Sequence, residues 1–309
     1  HRSSLLAQDV GGMRILANPA QGQESAQLDQ IYGLAFRRQA HPMYGDARVP
    51  ALEQVRFAVN SHRGCSGGCA FCAITAHQGL RVTSRSPASI LAEIGRILAH
   101  PQFRGTVTDL GGPTANLYGA RCRGPADCPR SSCLWPKVCP KLDLPDSAYL
   151  DILTKARKTP GLKHLFVTTG LRFDLLDRQP GLLKAVVSQH TSGHFKVAPE
   201  HLDPRVLERM RKPAAQNFGS FLQRFRQTSR EAKRRQFILP YLMAAHPGCR
   251  LDDMLETARF LRTEKLRVEQ VQIFTPTPGT ASTVMYATGL EPHSLQPVFV
   301  ERGERGKKM

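Results

Sequence analysis

Apolar and polar positions along this chain switch between two periods. In six short runs they alternate or stay apolar: Val55-Arg56-Phe57-Ala58-Val59-Asn60, Thr106-Val107-Thr108-Asp109-Leu110, His164-Leu165-Phe166-Val167-Thr168, His194-Phe195-Lys196-Val197-Ala198, Phe237-Ile238-Leu239-Pro240-Tyr241-Leu242-Met243 and Glu269-Gln270-Val271-Gln272-Ile273-Phe274. Each is predicted to be a strand. Between them apolar residues return every three or four positions, as in Ile90, Leu91, Ile94, Ile97 and Leu98, or Phe218, Phe221, Leu222 and Phe225. That spacing predicts helices. Ser86 is the predicted N-cap of the first, with Pro87 at its first position. Further helices are predicted over 149–158, 175–189 with a break at Pro180-Gly181, 204–210 and 251–262. Ahead of the first strand the pattern reads as loops with one amphipathic segment, 25–38.

Regular alternation of strand and helix implies parallel strands joined by right-handed crossovers. The expected class is α/β, a partial (β/α)6 TIM-like barrel with a Cys-rich insertion after the second strand. The pattern by itself leaves an open doubly wound sheet as the alternative. The expected organisation is an N-terminal flanking segment at 1–54, a core at 55–280 containing the insertion at 122–139, and a tail at 281–309. In either architecture, functional groups gather at the C-terminal ends of the strands. All six predicted strands end there in Gly, Pro or polar residues, including Gly111-Gly112, Thr169-Gly170, Pro199-Glu200-His201 and His246-Pro247-Gly248.

The most distinctive chemistry follows the first strand. Cys65, Cys69 and Cys72 are spaced C-x3-C-x2-C among Gly64, Gly67 and Gly68. Glycines let the backbone turn tightly and approach closely, so one loop can wrap three thiolates around a compact inorganic cluster. Cubane clusters usually take four thiolates. Three leave one iron open to a chelating cosubstrate. The alternative is zinc with His62 or His77 as fourth ligand, although structural zinc favours two separated ligand pairs.

A second set, Cys122, Cys128, Cys133 and Cys139, is spaced C-x5-C-x4-C-x5-C, with Arg123, Arg130, Lys137 and Lys141 interleaved. Four thiolates close a coordination sphere. Zinc or a second [4Fe–4S] cluster, the latter as electron relay or substrate anchor, both suit them. Cys249 stands alone and reads as a small buried residue. Glu200 sits where a carboxylate can accept from a ribose, or serve as a helix-start acid. Arg172 is expected to pair with a carboxylate of a cosubstrate or substrate, or to form a surface salt bridge, and His246 to exchange protons near a substrate or to lie on the surface.

Composition narrows the class. The chain is 41% hydrophobic, enough for a core, and no apolar run approaches the ~18 residues of a membrane span. Cysteines clustered like ligands point to a reducing cytoplasm. The chain begins His1-Arg2-Ser3-Ser4, as expected for part of a longer polypeptide. Its net charge of +18 invites a nucleic-acid partner, but the densest patch, Arg224, Arg226, Arg230, Lys233, Arg234 and Arg235, lies on the polar side of a predicted amphipathic helix and reads first as a solvated face, so nucleic acid is not specifically indicated.

The triplet with Phe71 before its third cysteine resembles the cluster loop of radical S-adenosylmethionine (SAM) enzymes. The run Arg63-Gly64-Cys65-Ser66-Gly67-Gly68-Cys69-Ala70-Phe71-Cys72-Ala73-Ile74-Thr75-Ala76-His77-Gln78-Gly79, with Asp109-Leu110-Gly111-Gly112-Pro113-Thr114-Ala115-Asn116, Cys133-Leu134-Trp135-Pro136-Lys137-Val138-Cys139-Pro140 and Lys196-Val197-Ala198-Pro199-Glu200-His201, is similar to the YgiQ family of that superfamily. The resemblance implies a [4Fe–4S] cluster on Cys65, Cys69 and Cys72, SAM chelated at the free iron, and reductive cleavage of SAM to a 5′-deoxyadenosyl radical. It implies that Gly111 and Gly112 meet the SAM amino group, with Pro113 where the superfamily has Glu. It also implies a reducing electron donor such as flavodoxin or ferredoxin, and a substrate that the motifs do not name. From another class, the alternative is an RNA- or partner-binding module with structural or redox-sensing clusters.

Overall fold

The computed structural model describes residues 6–17, 22–125, 128–213, 216–269 and 271–308. Outside it lie residues 1–5 and 18–21 of the expected N-terminal flank, 126–127 of the Cys-rich segment, 214–215 and Gln270 of the core, the latter in the last predicted strand, and Met309 of the tail.

Parallel pairing runs through the predicted strands in chain order. Ala58–Asn60 pairs with Asp109–Gly111, and Thr106–Val107 with His164–Leu165, both parallel. The Leu110 amide donates to the Phe166 carbonyl at 2.9 Å, and Leu171 bridges to Val197 in parallel. His194–Glu200, Phe237–Ala244 and Val271–Ile273 then form a three-stranded parallel sheet. Helices occupy the intervals: Pro87–Leu98, Asp146–Arg157, Pro180–Gln189, Pro204–Met210, Gln216–Glu231 and Leu251–Thr263. Ser86 caps the first through its side chain, 3.1 Å from the Ser89 amide, with Pro87 following. The fold is mixed α/β.

One apolar core joins the two kinds of element. Ile90, Ile94 and Ile97, then Tyr149, Ile152 and Leu153, then Phe218, Phe221 and Leu222 pack on Val59, Leu110, Leu165, Phe195 and Val197. Burying each large side chain contributes roughly 1.5–3 kcal/mol. The basic residues Arg226, Arg230, Lys233, Arg234 and Arg235 are exposed on the opposite side, as the amphipathic reading expects.

Several boundaries differ from the sequence pattern. Val55 closes a helix, Pro50–Val55, because Pro50 supplies a preset first helical φ; the strand begins only at Ala58. The second strand is interrupted at Thr108, whose amide turns to the Phe57 carbonyl at 3.0 Å. The third is ladder-paired only at His164–Leu165, and the last spans Val271–Ile273. In the N-terminal flank, read as loops, Leu6–Val10 and Met13–Ala17 form an antiparallel hairpin. Its turn is Gly11-Gly12, with φ of 57° and 79°, the backbone a two-residue hairpin needs. A Gly-Gly pair between apolar runs was the available signal. The flank is fixed to the core by charge: Arg38 and Arg85, both buried, pair with the same Glu93 carboxylate.

Candidate active site

The three cysteines of the first loop are packed together. A β-carbon added at Gly67 would lie 3.3 Å from the Cys65 sulfur and 3.6 Å from that of Cys69. The Cys72 amide donates to the Cys69 carbonyl at 3.2 Å. Burial pushes the Cys72 thiol up to about 11, and the Cys69 and Cys65 sulfurs push the same way. Thiols crowded like this resist ionising together unless a cation shares their charge. They fit a cluster of several irons. Of the two histidines weighed as a fourth zinc ligand, His62 is buried with Nδ1 at 2.8 Å from the Ser61 hydroxyl, while His77 is exposed.

Three distant segments hold this loop in place. The Ala70 amide donates to the Met210 carbonyl, and the Ala70 carbonyl accepts from the Ser282 amide, both at 2.9 Å. Gly68, at φ 59°, lies so close to Ser131 that any side chain would collide with its carbonyl oxygen. Gly64, at φ 83°, meets the Arg81 carbonyl in the same way. Both are positions only glycine fills without strain.

Gly111-Gly112 ends the neighbouring strand, and Thr114, two residues on, lies 3.7 Å from the Cys65 sulfur through its hydroxyl. Their glycine identity follows from crowding. A β-carbon at Gly111 would strike Thr169 and Asp109, and one at Gly112 the His62 ring. The Gly111 carbonyl already accepts from the Ser61 amide and the Ser61 hydroxyl, each at 2.7 Å. A carbonyl has two lone pairs, so the Gly112 carbonyl is the better acceptor for an incoming ammonium.

Glu200 ends its strand at φ 67°, a left-handed backbone rare for a residue with a side chain. Burial raises its carboxyl, while the charges of Lys212 and Arg172 pull it down. The Glu200 charge adds to the upward pull on the Cys72 thiol.

Two residues occupy environments unlike either sequence expectation. Arg172 is buried, 6% exposed. Burial opposes its charge, but Asp174, at 2.8 Å, and the Cys69 and Cys65 sulfurs outweigh that and raise its pKa. Its Nη1 lies 3.6 Å from the Cys69 sulfur. It is a buried ion pair with Asp174, not a surface salt bridge. His246 is fully buried, with its ring between Phe71 and Phe274 at centroid distances of 6.3 and 5.3 Å. Its Nε2 lies 2.7 Å from the Ser282 hydroxyl. Sequence reasoning missed this supporting role and those of Asp174 and Ser282, for which no local pattern existed. Cys249 is a buried small residue, 3% exposed.

The second cysteine set gathers as well. Burial pushes the Cys133 thiol up to about 11, and the sulfurs of Cys122, Cys139 and Cys128 add to the rise. All four are free thiols.

The family model for the radical SAM superfamily matches residues 59–261, and a radical SAM N-terminal model matches 1–58. The chain belongs to the radical SAM superfamily. It is 49% identical to the UPF0313 protein GSU2873 of Geobacter sulfurreducens, covering all of this chain and 52% of the relative. It is 43% identical to a UPF0313 protein of Methanocella arvoryzae, covering 94% of this chain and 49% of the relative. These relatives are of the YgiQ type. The chain thus spans about half the length of the curated relatives it matches. Among solved structures, it resembles the radical S-adenosylmethionine methyltransferase TsrM of Kitasatospora setae, determined with cobalamin and a [4Fe–4S] cluster bound. The TM-score is 0.50 at 14% identity, over 74% of this chain and 39% of TsrM. At that identity the likeness concerns the fold alone. No helix among the described residues is long and apolar enough to cross a membrane.

Proposed function

We propose that the chain is the catalytic part of a radical SAM enzyme in which Cys65, Cys69 and Cys72 hold a [4Fe–4S] cluster with one iron left for SAM. When bound, this pair of cofactors supplies a 5′-deoxyadenosyl radical through reductive cleavage of SAM. The observation that carries the reading is the packing of three thiols, Cys65, Cys69 and Cys72, in one glycine-rich loop at the end of the first strand. The Gly112 carbonyl orients the ammonium of SAM, and Glu200 accepts from its ribose. Arg172 holds a positive charge beside the Cys69 sulfur. Phe71, pinned by His246, closes the apolar side of the loop.

The order of parallel pairing supports a partial (β/α)6 barrel over 55–280, with 1–54 as flank, 122–139 as a Cys-rich insertion after the second strand, and 281–309 as a tail. Reduction requires an electron donor; a flavodoxin or ferredoxin in the cytoplasm fits the low potential such clusters work at. A module that only binds RNA or a partner has no need of an acceptor carbonyl and a strained carboxylate beside a cluster. Replacing Cys65, Cys69 and Cys72 with Ala is expected to abolish the SAM-responsive iron–sulfur absorbance. Iron retained at this site, with an unchanged response to SAM, would refute the assignment.

A further inference from the structure

Outside the mouth, the other gathering of metal-binding side chains is the segment carrying Cys122, Cys128, Cys133 and Cys139. Cys122, Cys128 and Cys133 line a cavity of about 510 Å³, together with Ser66, Arg121 and Arg130. The Gly124 amide points at the Cys122 sulfur, 3.4 Å away, and the Cys139 amide donates to the Cys133 carbonyl at 2.7 Å. Arg130 braces the surrounding loop through the carbonyls of Ser132, Trp135 and Lys137 at 2.9, 3.3 and 3.1 Å. Around Cys122 and Cys139 regular structure is confined to the two-residue strands Arg121–Cys122 and Leu142–Asp143. A segment with so little ladder of its own needs a bound centre to hold its shape.

We infer that these four cysteines hold a closed iron–sulfur cluster, seated directly against the loop of the first. Two features select a cluster over zinc. Cys122, Cys128 and Cys133 border a cavity of about 510 Å³, room for more than a single ion. Zinc draws thiolates to about 2.3 Å from one centre, whereas a cubane spreads four over separate irons. The cavity wall also presents Arg81, Arg121 and Arg130, cations that stabilise an anionic cluster. Four protein thiolates fill the sphere, so this centre takes neither SAM nor substrate.

The seating is specific. The Cys133 amide donates to the Ser66 carbonyl at 2.9 Å, and the Ser132 hydroxyl to the Gly67 carbonyl at 2.6 Å. Ser66 lines the second cavity and is bonded to Cys65, so one hydrogen bond and one residue join the ligand sets. Cys65 and Cys133 share an apolar cluster with Leu80, Leu117 and Leu142.

Reconstituted protein should contain about eight irons per chain, two cubanes' worth, and its reduced form should give two sets of EPR signals, only one of them shifted by SAM. In the Cys122→Ser/Cys139→Ser variant the SAM-silent set should vanish and iron should halve. A single SAM-responsive set with zinc, or with no second metal, would overturn this inference while leaving the proposed function intact. A SAM-silent set without a SAM-responsive one would do the reverse. If the variant fails to fold, the two sets in the unaltered protein still decide the matter.

Discussion

Arg172 carries its charge into the interior between the Asp174 carboxylate and the Cys69 sulfur. A cation there favours the more negative, reduced state of a cluster. Replacing Arg172 with Gln alone leaves Asp174 buried and uncompensated, at a cost of about 3–5 kcal/mol. The paired variant Arg172→Gln/Asp174→Asn avoids that cost and removes the ion pair, of which Arg172 is the member in contact with the sulfur. Its first cluster should have a more negative midpoint in an EPR-monitored redox titration; an unchanged midpoint would make Arg172 only a structural partner of Asp174. His62 is a second buried group with a measurable consequence. Burial pulls its pKa from 6.5 to about 4, against the opposing effect of a hydrogen bond at Thr114. The folded state therefore holds it neutral, while the unfolded chain takes up a proton below the ordinary value. Stability present above pH 6.5 is lost as pH falls toward 4, by on the order of 3 kcal/mol. His246, pulled to about 3 mainly by burial, acts in the same direction. Denaturant midpoints should fall between pH 7 and pH 5, and less steeply in His62→Phe; equal slopes would contradict the assignment. None of this was visible in sequence, because burial of Arg172, His62 and His246 comes from segments far apart along the chain.

At the scale of elements, the cluster loop depends on what docks against it. Gly68 lies against Ser131, and its φ of 59° excludes a side chain without strain. Gly68→Ala should separate the first loop from the Cys-rich segment and lower iron content at both sets, whereas Gly219→Ala, in open space on a helix, should leave it unchanged. Glu200 belongs to this scale too, because a register shift after Val197 precedes its own pairing with Leu242. Glu200→Ala should weaken SAM binding by about 1–3 kcal/mol, the size of a charge-assisted hydrogen bond, with the cluster spectrum unchanged. Equal affinity in isothermal titration would reduce Glu200 to a helix-start acid. The cysteine spacings, the strand ends and the Ser86-Pro87 helix start were legible because each is a local pattern. The docking of Ser131, Ser132 and Cys133 on Ser66 and Gly67 was not, since its bonds join residues 65 and 67 apart.

Across the whole molecule, the sequence periodicity foresaw the order of strands and helices better than their lengths. Apolar alternation in Val55-Arg56-Phe57 reflects packing beneath the sheet: Phe57 stacks edge-on with His100 and Phe103 at 5.3 Å without joining a ladder. The Leu6–Val10 and Met13–Ala17 hairpin was missed because it buries little and leaves Val10, Met13 and Ile15 exposed. We propose that the strand ends nevertheless form one mouth, from the first loop, the Gly111-Gly112 turn and Glu200. That mouth makes one central claim, cleavage of SAM at the open iron. The most direct test is to reconstitute the protein with iron and sulfide under anaerobic conditions, reduce it with dithionite, add SAM and quantify 5′-deoxyadenosine. The account predicts 5′-deoxyadenosine and methionine in equal amounts from the unaltered protein, and none from the Cys65→Ala/Cys69→Ala/Cys72→Ala variant. Failure of a fully loaded, reduced cluster to yield any 5′-deoxyadenosine, or equal yield from the variant, would contradict it.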